Sequence, residues 1–164
     1  MGIGHSLTLG ALSGRKRYQS PMDAVGRLAH CYVMQSHQVK STTKRPLISV
    51  VDDDESVRES LPDLLREFGF AALAFSSAQK FLSSDHVDET RCLILDVAMP
   101  GMTGLDLQRE LKRRGQEIPI VFITALKDED IRKQAHREGA VKFLYKPFGD
   151  TALLDAVNAA LHAE

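Results

Sequence analysis

Short apolar runs alternate with amphipathic segments along residues 47–162, and the alternation repeats five times. The runs are rich in β-branched residues and short enough for buried strands, whereas the longer segments repeat apolar residues every three or four positions, as helices do. The pattern predicts strands at 47–51, 70–75, 92–95, 118–124 and 141–145, and helices at 55–68, 78–82, 105–114, 128–138 and 150–162. Such alternation is typical of an α/β doubly wound fold, a parallel sheet covered on both faces by helices in right-handed crossovers.

The first and last predicted helices each have one apolar face. Pro62 lies within the first of them and removes one backbone hydrogen bond, so we expect a kink there. The residues predicted to face the sheet are Val57, Leu61, Leu64, Leu65, Phe68, Leu153, Leu154, Val157 and Leu161.

Charge divides the chain near residue 45. Residues 1–45 carry a net charge of +6 and the remainder −7, which together give the formal −1 of the whole chain. Residues 1–45 also lack any helical or strand period, so we expect a basic, disordered N-terminal extension and one domain at 46–164. Cys31 and Cys92 form no metal or disulfide pattern, and no apolar run is long enough to span a bilayer. A cytoplasmic protein with no membrane partner is therefore expected.

Polar residues gather where the predicted parallel strands end. Aspartates 52–54 follow the first strand, Asp96 ends the third, Thr124 ends the fourth and Lys146 follows the fifth. Carboxylates crowded at one sheet edge repel one another unless a cation lies among them, and oxygen ligands in an open site favour Mg²⁺. A lysine and a hydroxyl beside them complete a set that predicts phosphoryl transfer, with an aspartate as nucleophile.

Four segments together resemble the receiver domain of response regulators from bacterial two-component systems: LISVVDDDESVRESL, LILDVAMPGMTG, IPIVFITA and GAVKFLYKPF. The resemblance covers about residues 46–161. It implies a flavodoxin-like (βα)5 three-layer sandwich with five parallel strands in the order 2-1-3-4-5. It also implies a phospho-acceptor signalling domain, which catalyses its own phosphorylation and dephosphorylation and is not otherwise an enzyme.

The same resemblance implies a role for each residue at the sheet edge. Asp96 would be the phospho-acceptor, at the start of a D-x-x-M-P-x-x-x-G motif. Mg²⁺ would be held directly by Asp53, Asp96 and the backbone carbonyl of Ala98, and by Asp52 through water. Thr124 would be the switch hydroxyl, and Lys146 the lysine that pairs with the acyl phosphate. Phe143 would be the aromatic switch and Pro147 the cis-proline.

The run of three aspartates leaves the register open by one residue. The downstream Ser56-Val57-Arg58 favours Asp52 and Asp53 as the acidic pair. The third aspartate of the run then begins the first helix, where a negative side chain suits the helix dipole.

Two other functions stay open on the sequence. Asp52-x-Asp54-x-Ser56 nearly matches the nucleophile motif of haloacid-dehalogenase-like, Mg²⁺-dependent phosphatases, with Asp52 as nucleophile and Asp150 in a late acidic motif. Against this alternative, Asp150 is expected to cap the last helix, and Asp96 would have no role. The third possibility is an interaction domain with an inactive site.

The receiver resemblance implies a sensor histidine kinase or a histidine phosphotransfer protein as the phosphoryl donor. Because the sequence ends at Glu164, after the fifth helix, we expect a stand-alone receiver whose output is protein contact. The contact would be with a downstream protein target or with a second copy, through helix 4, strand 5 and helix 5. The basic residues of 1–45 are sparse and lack interleaved aromatics, so no DNA binding is expected.

Overall fold

The computed structural model describes residues 44–163, in which five strands alternate with five helices. Each lies within two residues of its predicted bounds. The expected disorder of residues 1–45 falls, apart from Lys44 and Arg45, outside the described residues. The elements are β1 (Leu47–Val51), α1 (Glu55–Glu67), β2 (Ala71–Phe75), α2 (Ala78–Leu82), β3 (Thr90–Asp96), α3 (Gly104–Arg113), β4 (Ile120–Thr124), α4 (Glu129–Arg137), β5 (Lys142–Tyr145) and α5 (Asp150–Leu161).

The strands form one parallel sheet in the order β2-β1-β3-β4-β5. This confirms the doubly wound α/β fold and the flavodoxin-like strand order. In the centre, Val51 of β1 pairs with Leu95 of β3, so the two strands end level with each other. Strands β1, β3 and β4 are buried along nearly their whole length, because helices cover both faces of the sheet. Burial on both faces explains why these strands are continuous apolar runs in the sequence.

Alternate side chains of the central strands enter two separate apolar clusters, one on each face of the sheet. In β3, Cys92 and Ile94 belong to the cluster that includes residues of α1 and α5. Leu93 and Leu95 belong to the cluster that includes residues of α2, α3 and α4. The period of two residues in a strand therefore produces a three-layer sandwich with two cores.

The apolar faces predicted for the first and last helices do pack against the sheet. Leu61, Leu65, Leu153 and Val157 are buried, and the other five predicted residues pack, partly buried, against the same cluster. Helix α1 continues through Pro62, which is itself buried, and the kink there stays a prediction. None of the helices in residues 44–163 combines the length and apolar composition needed to cross a bilayer.

Two local predictions need correction. Strand β3 begins at Thr90, before the predicted start, because Thr90 pairs with Leu47 of β1. The Thr90 hydroxyl also bonds to the Ser49 hydroxyl at 2.8 Å and donates to the His86 carbonyl at 2.7 Å. Asp150 does not cap α5. The N-cap is Gly149, which has no side chain to accept a hydrogen bond, and Asp150 lies in the first helical turn.

Polar contacts help to join helix α4 to its neighbour α3. Ala135 is the one buried residue of α4. Gln108 of α3, 5% exposed, donates from Nε2 to the carbonyl oxygens of Ala135 at 3.5 Å and Glu138 at 3.3 Å. Arg109 donates to the Glu138 carboxylate at 3.2 Å. Gln108 Oε1 and Glu138 Oε2 are buried with no hydrogen-bond partner among the described residues, so this contact is incompletely satisfied.

Candidate functional site

Asp52 and Asp96 lie at the same level because their strands are paired. Val51 pairs with Leu95, so the residues that follow them, Asp52 and Asp96, both lie at the carboxyl edge of the sheet. The two aspartates are 0% and 5% exposed. Open parallel sheets bind ligands at this edge, and two buried carboxylates there require a compensating positive charge.

Lys146 supplies that positive charge. Its Nζ donates to Asp52 Oδ2 at 2.7 Å and to Asp96 Oδ1 at 3.0 Å. Its backbone N–H donates to the Thr124 carbonyl at 2.8 Å, which ties the residue after β5 to the end of β4. The peptide bond between Lys146 and Pro147 is cis. The structure thus brings together three predicted site residues from three parts of the sequence.

The contacts within this group shift the proton affinities of its members. Burial raises the pKa of Asp96, and the hydrogen bond and charge of Lys146 oppose that shift without cancelling it. Burial acts to lower the pKa of Lys146, but its hydrogen bonds to Asp52 and Asp96 outweigh burial and raise that pKa above its usual value. Lys146 is therefore a permanent cation at neutral pH, placed between two carboxylates.

The loop between β3 and α3 fixes the other side of Asp96. Ala98 donates its backbone N–H to Asp96 Oδ2 at 2.7 Å, and the N–H of Gly104 donates to the Val97 carbonyl at 3.0 Å. A Cβ at Gly104 would lie 2.3 Å from the backbone oxygen of Asp96. The last glycine of the D-x-x-M-P-x-x-x-G motif is therefore required by the close approach of α3 to the end of β3, which the spacing alone did not reveal.

The three aspartates after β1 have three different environments. Asp52 is buried and Asp53 is exposed. Asp54 caps α1, since its Oδ1 accepts hydrogen bonds from the Ser56 backbone N–H at 2.9 Å and from the Ser56 hydroxyl at 2.7 Å. These bonds lower the pKa of Asp54. Because Asp54 is engaged as a helix cap, the geometry favours the register in which Asp52 and Asp53 form the acidic pair.

The donor set at the carboxyl edge fits a magnesium ion. No three His, Cys, Asp or Glu side chains in residues 44–163 are grouped closely enough to hold a metal by themselves. The expected set needs no such group, because it combines the Asp53 and Asp96 carboxylates with the Ala98 carbonyl, and Asp52 through water. Mg²⁺ usually keeps several waters and takes one or two protein carboxylates together with phosphate oxygens. An all-oxygen set with few direct protein ligands matches that preference.

Thr124 and Phe143 lie on the neighbouring strands β4 and β5. Thr124 is 1% exposed, and its Oγ1 accepts the Leu126 N–H at 3.1 Å. The ring of Phe143 is partly buried, with its centre 6.0 Å from that of Phe122 and 5.4 Å from that of Tyr145. The Thr124 hydroxyl is thus engaged by its own loop, and Phe143 packs against the apolar cluster on the α3–α4 face.

Arg58 of α1 has a structural role that the sequence pattern did not reveal. Its Nη1 donates to the backbone oxygen of Asp52 at 3.0 Å. Spacing was the available signal, because Arg58 lies one helical turn after the cap residue Asp54. Side chains on a helix tilt toward its N-terminus, so an arginine at that position is directed toward the end of β1.

With the site described, comparison with known proteins identifies the family. The family model of the response regulator receiver domain matches residues 48–158. The chain belongs to this family of two-component signalling domains. Receiver domains interact with histidine kinases, and phosphorylation and Mg²⁺ binding at an acidic pocket are general features of the family.

Two curated relatives extend the comparison. The chain is 48% identical to nodulation protein W of Bradyrhizobium diazoefficiens over 126 residues, which are 77% of this chain and 55% of that protein. It is 42% identical to response regulator protein TodT of Pseudomonas putida over 130 residues, 79% of this chain and 57% of that protein. The chain thus spans about half the length of the curated relatives it matches.

Solved structures agree with this assignment. The response regulator StyR is similar with a TM-score of 0.67 and 47% identity, covering 71% of this chain and 59% of that one. FixJ-N is similar with a TM-score of 0.67 and 35% identity, covering 74% of this chain and 97% of that one. The fold seen here is therefore the fold of known receiver domains.

Family membership and geometry both count against the phosphatase alternative. Asp52, its expected nucleophile, is buried, and its two carboxylate oxygens accept hydrogen bonds from the Asp54 N–H at 2.9 Å and from Lys146. Asp54, the second motif residue, caps α1. Because Asp54 is engaged as the N-cap of α1, it is not free to act as the second aspartate of the dehalogenase-type motif.

Proposed function

We propose that this domain accepts a phosphoryl group on Asp96 from the phosphohistidine of a sensor histidine kinase or a histidine phosphotransfer protein. The observation that carries the proposal is the bridge formed by Lys146, whose Nζ lies 2.7 Å from Asp52 Oδ2 and 3.0 Å from Asp96 Oδ1. In this position the lysine pairs with the carboxylate before transfer and with the acyl phosphate afterwards.

In the proposed reaction, one carboxylate oxygen of Asp96 attacks the phosphorus atom. The new P–O bond forms as the P–N bond to the donor histidine breaks, and the imidazole leaves with the electron pair. Lys146 stabilises negative charge on the phosphoryl oxygens, and the Ala98 N–H bonded to Oδ2 orients the carboxylate. Such contacts need no reorganisation at the moment of transfer.

Asp53, Asp96 and the Ala98 carbonyl are the proposed direct ligands of Mg²⁺, with Asp52 acting through water. A bound Mg²⁺ neutralises charge on the phosphoryl oxygens as the group transfers. The partner supplies the donor histidine, and the domain catalyses only its own phosphorylation and dephosphorylation.

Thr124 and Phe143 are the proposed switch. A phosphoryl oxygen on Asp96 offers the Thr124 hydroxyl a new acceptor, in place of its present arrangement with the Leu126 N–H. Movement of Thr124 inward leaves space into which Phe143 can rotate. The pair would then bias two arrangements of the face made by α4, β5 and α5, which we propose binds a protein target or a second copy.

The phosphorylation proposal is tested with acetyl phosphate and Mg²⁺, followed by mass measurement of the intact protein. The wild type should gain one phosphoryl group. Asp96→Asn should gain none while its circular dichroism spectrum stays unchanged, because the side-chain shape is kept and the nucleophile is lost. Asp54→Asn, at the same sheet edge, is the matched control and should be labelled like wild type.

Three outcomes would contradict this assignment. Equal labelling of the Asp96→Asn variant would show that another residue is the acceptor. Continuous release of phosphate that depends on Asp52 would support the phosphatase alternative. Failure of every variant, wild type included, to react would support an interaction domain with an inactive site.

The output proposed for this chain is protein contact in the cytoplasm without DNA binding. The support for protein contact is that the proposed switch residue Phe143 lies on β5, within the face made by α4, β5 and α5. Size-exclusion chromatography and an electrophoretic mobility shift assay, each with and without phosphorylation, test it. Phosphorylation should change association and leave DNA mobility unaffected, whereas salt-resistant, phosphorylation-dependent DNA binding would overturn the proposal.

A further inference from the structure

Asp52 has four backbone and carboxylate groups that form hydrogen bonds, and each of them is bonded. Its N–H donates to the Phe75 carbonyl at 3.1 Å, which ties it to the end of β2. Its Oδ1 accepts the Asp54 N–H at 2.9 Å, and its Oδ2 accepts the Lys146 Nζ at 2.7 Å. The fourth group, the backbone oxygen, accepts Arg58 Nη1 at 3.0 Å. Of these four hydrogen bonds, the one from Arg58 is the one donated by a side chain of α1.

The bond from Arg58 acts on the residue that follows Asp52. The carbonyl of Asp52 and the N–H of Asp53 belong to one planar peptide unit, so a donor that fixes the carbonyl also fixes the direction in which the chain enters Asp53. Asp53 is itself exposed, whereas Arg58 is half-buried. The orientation of an exposed side chain depends strongly on the backbone beneath it.

We infer that Arg58 is a positioning residue for the magnesium site, and that it acts through the Asp52–Asp53 peptide to aim the Asp53 carboxylate. The inference rests on the proposed function, in which Asp53 is a direct Mg²⁺ ligand. Arg58 contacts neither Asp53's carboxylate nor the reacting atoms in this assignment. Groups that orient metal ligands in this way typically change metal affinity by about 10- to 100-fold when removed.

The chain provides a matched control for this test. Arg66 lies on the same helix, two turns later, and its Nη2 donates to the Ala72 carbonyl at 3.0 Å. Arg58 and Arg66 therefore make the same kind of bond, from α1 to the backbone of a strand or its continuation. Only the bond from Arg58 is at the carboxyl edge.

The test measures Mg²⁺ binding directly, by calorimetry on unphosphorylated protein, for wild type, Arg58→Met and Arg66→Met. Arg58→Met should raise the Mg²⁺ dissociation constant about tenfold, and Arg66→Met should change it less than about twofold. Phosphorylation by acetyl phosphate should be slower for Arg58→Met at low Mg²⁺ and recover at saturating Mg²⁺. A residue with a purely structural role would not produce that dependence on Mg²⁺.

Each further result decides the inference. Equal Mg²⁺ affinities for the two methionine variants, with wild type binding Mg²⁺ and labelled on Asp96, would overturn the role of Arg58 and leave the proposed function standing. A wild type that neither binds Mg²⁺ nor becomes labelled would instead defeat the proposed function. If Arg58→Met does not fold, Arg58→Gln replaces it, because the glutamine side chain is too short to reach the Asp52 carbonyl. The expected result is the same roughly tenfold loss of Mg²⁺ affinity.

Discussion

Asp52 and Asp53 are neighbours in sequence, yet the fold gives them opposite environments. Asp52 is fully buried and both of its carboxylate oxygens accept hydrogen bonds from the protein, whereas Asp53 faces solvent. An exposed carboxylate such as that of Asp53 can turn toward a metal and bind it directly. The difference in burial therefore gives a physical reason for the different roles proposed for the two residues.

The register of the acidic run is tested by Asp53→Ala and Asp54→Ala. Asp53→Ala should abolish most Mg²⁺ binding and leave stability nearly unchanged, because this side chain is exposed. Asp54→Ala should keep Mg²⁺ binding but lower the free energy of unfolding by about 1 kcal/mol, because α1 loses its N-cap. Calorimetric Mg²⁺ titration and urea unfolding measure the two effects. A larger loss of Mg²⁺ affinity at Asp54 would place the acidic pair one residue later.

Gly104 is the second residue-scale test, because a side chain there has no room. A Cβ would meet the Asp96 carbonyl oxygen at 2.3 Å and the Phe122 ring at 3.1 Å. Gly104→Ala should therefore destabilise the domain by about 2–4 kcal/mol. Gly149→Ala is the control, since a Cβ at Gly149 would have no neighbour within 4 Å. Its expected cost is about 0.5–1 kcal/mol, because alanine is a poorer N-cap than glycine. Equal chemical-denaturation midpoints for the two variants would contradict the close approach of α3 to β3.

At the scale of elements, helix α3 begins immediately after the loop that follows Asp96, and its start is fixed by a capping box. The Asp106 Oδ2 accepts the Thr103 N–H at 3.2 Å and the Thr103 hydroxyl at 2.6 Å, while Thr103 Oγ1 accepts the Asp106 N–H at 3.2 Å. The bonds from Thr103 lower the pKa of Asp106. The first turn of α3 is thus held in place by an ionised carboxylate.

This arrangement predicts a pH-dependent effect of Asp106→Asn. Because the folded-state pKa is below the ordinary value of 3.8, the carboxylate stabilises the fold above that value. The contribution is lost as the pH falls through the folded-state pKa. Asp106→Asn should therefore cost about 0.5–1 kcal/mol at pH 7, and the difference from wild type should close below pH 3.8. Thermal unfolding across pH measures it, and a difference that does not narrow in acid would contradict the capping role.

At the scale of the whole molecule, the described members of both apolar clusters lie within residues 48–161, and the family match covers 48–158. We therefore propose that residues 1–45 are an extension of a domain that comprises 46–164. Deleting residues 1–43 should shift the melting temperature by less than about 2 °C, because a loss of 1 kcal/mol shifts it by roughly 2–8 °C in domains of such sizes. A larger drop on deletion would show that the extension contributes to the fold.

The secondary structure and the buried helix faces of this domain were predicted from local patterns in its sequence. Strand and helix periods predicted all ten elements, and the apolar faces around Leu61 and Leu153 were correct because burial repeats at the helical period. The strand order came from the family resemblance, since non-local crossovers set it. The ends of the strands also predicted that Asp52, Asp96 and Lys146 would share one edge.

The partners of contacts to backbone groups were not predicted from the pattern. Arg58 and Gln108 both donate to carbonyl oxygens, and a carbonyl is present at every residue, so no residue type marks the partner. The need for Gly104 arises from the distance between α3 and β3, which depends on how the layers pack. Such features appear only when the three-dimensional arrangement is known.

The incomplete contact between α3 and α4 has a consequence for local unfolding. Within α4 only Ala135 is buried, with Ile131 partly buried against the same apolar cluster. Opening α4 also releases Gln108 Oε1 and Glu138 Oε2 to water, where they regain hydrogen bonds. Helix α5, by contrast, buries Leu153, Ala156, Val157 and Ala160. Amide hydrogens of α4 should therefore exchange with deuterium well before those of α5, at a free energy below that of global unfolding. We therefore expect helix α4 to leave and return to the domain while the sheet stays intact.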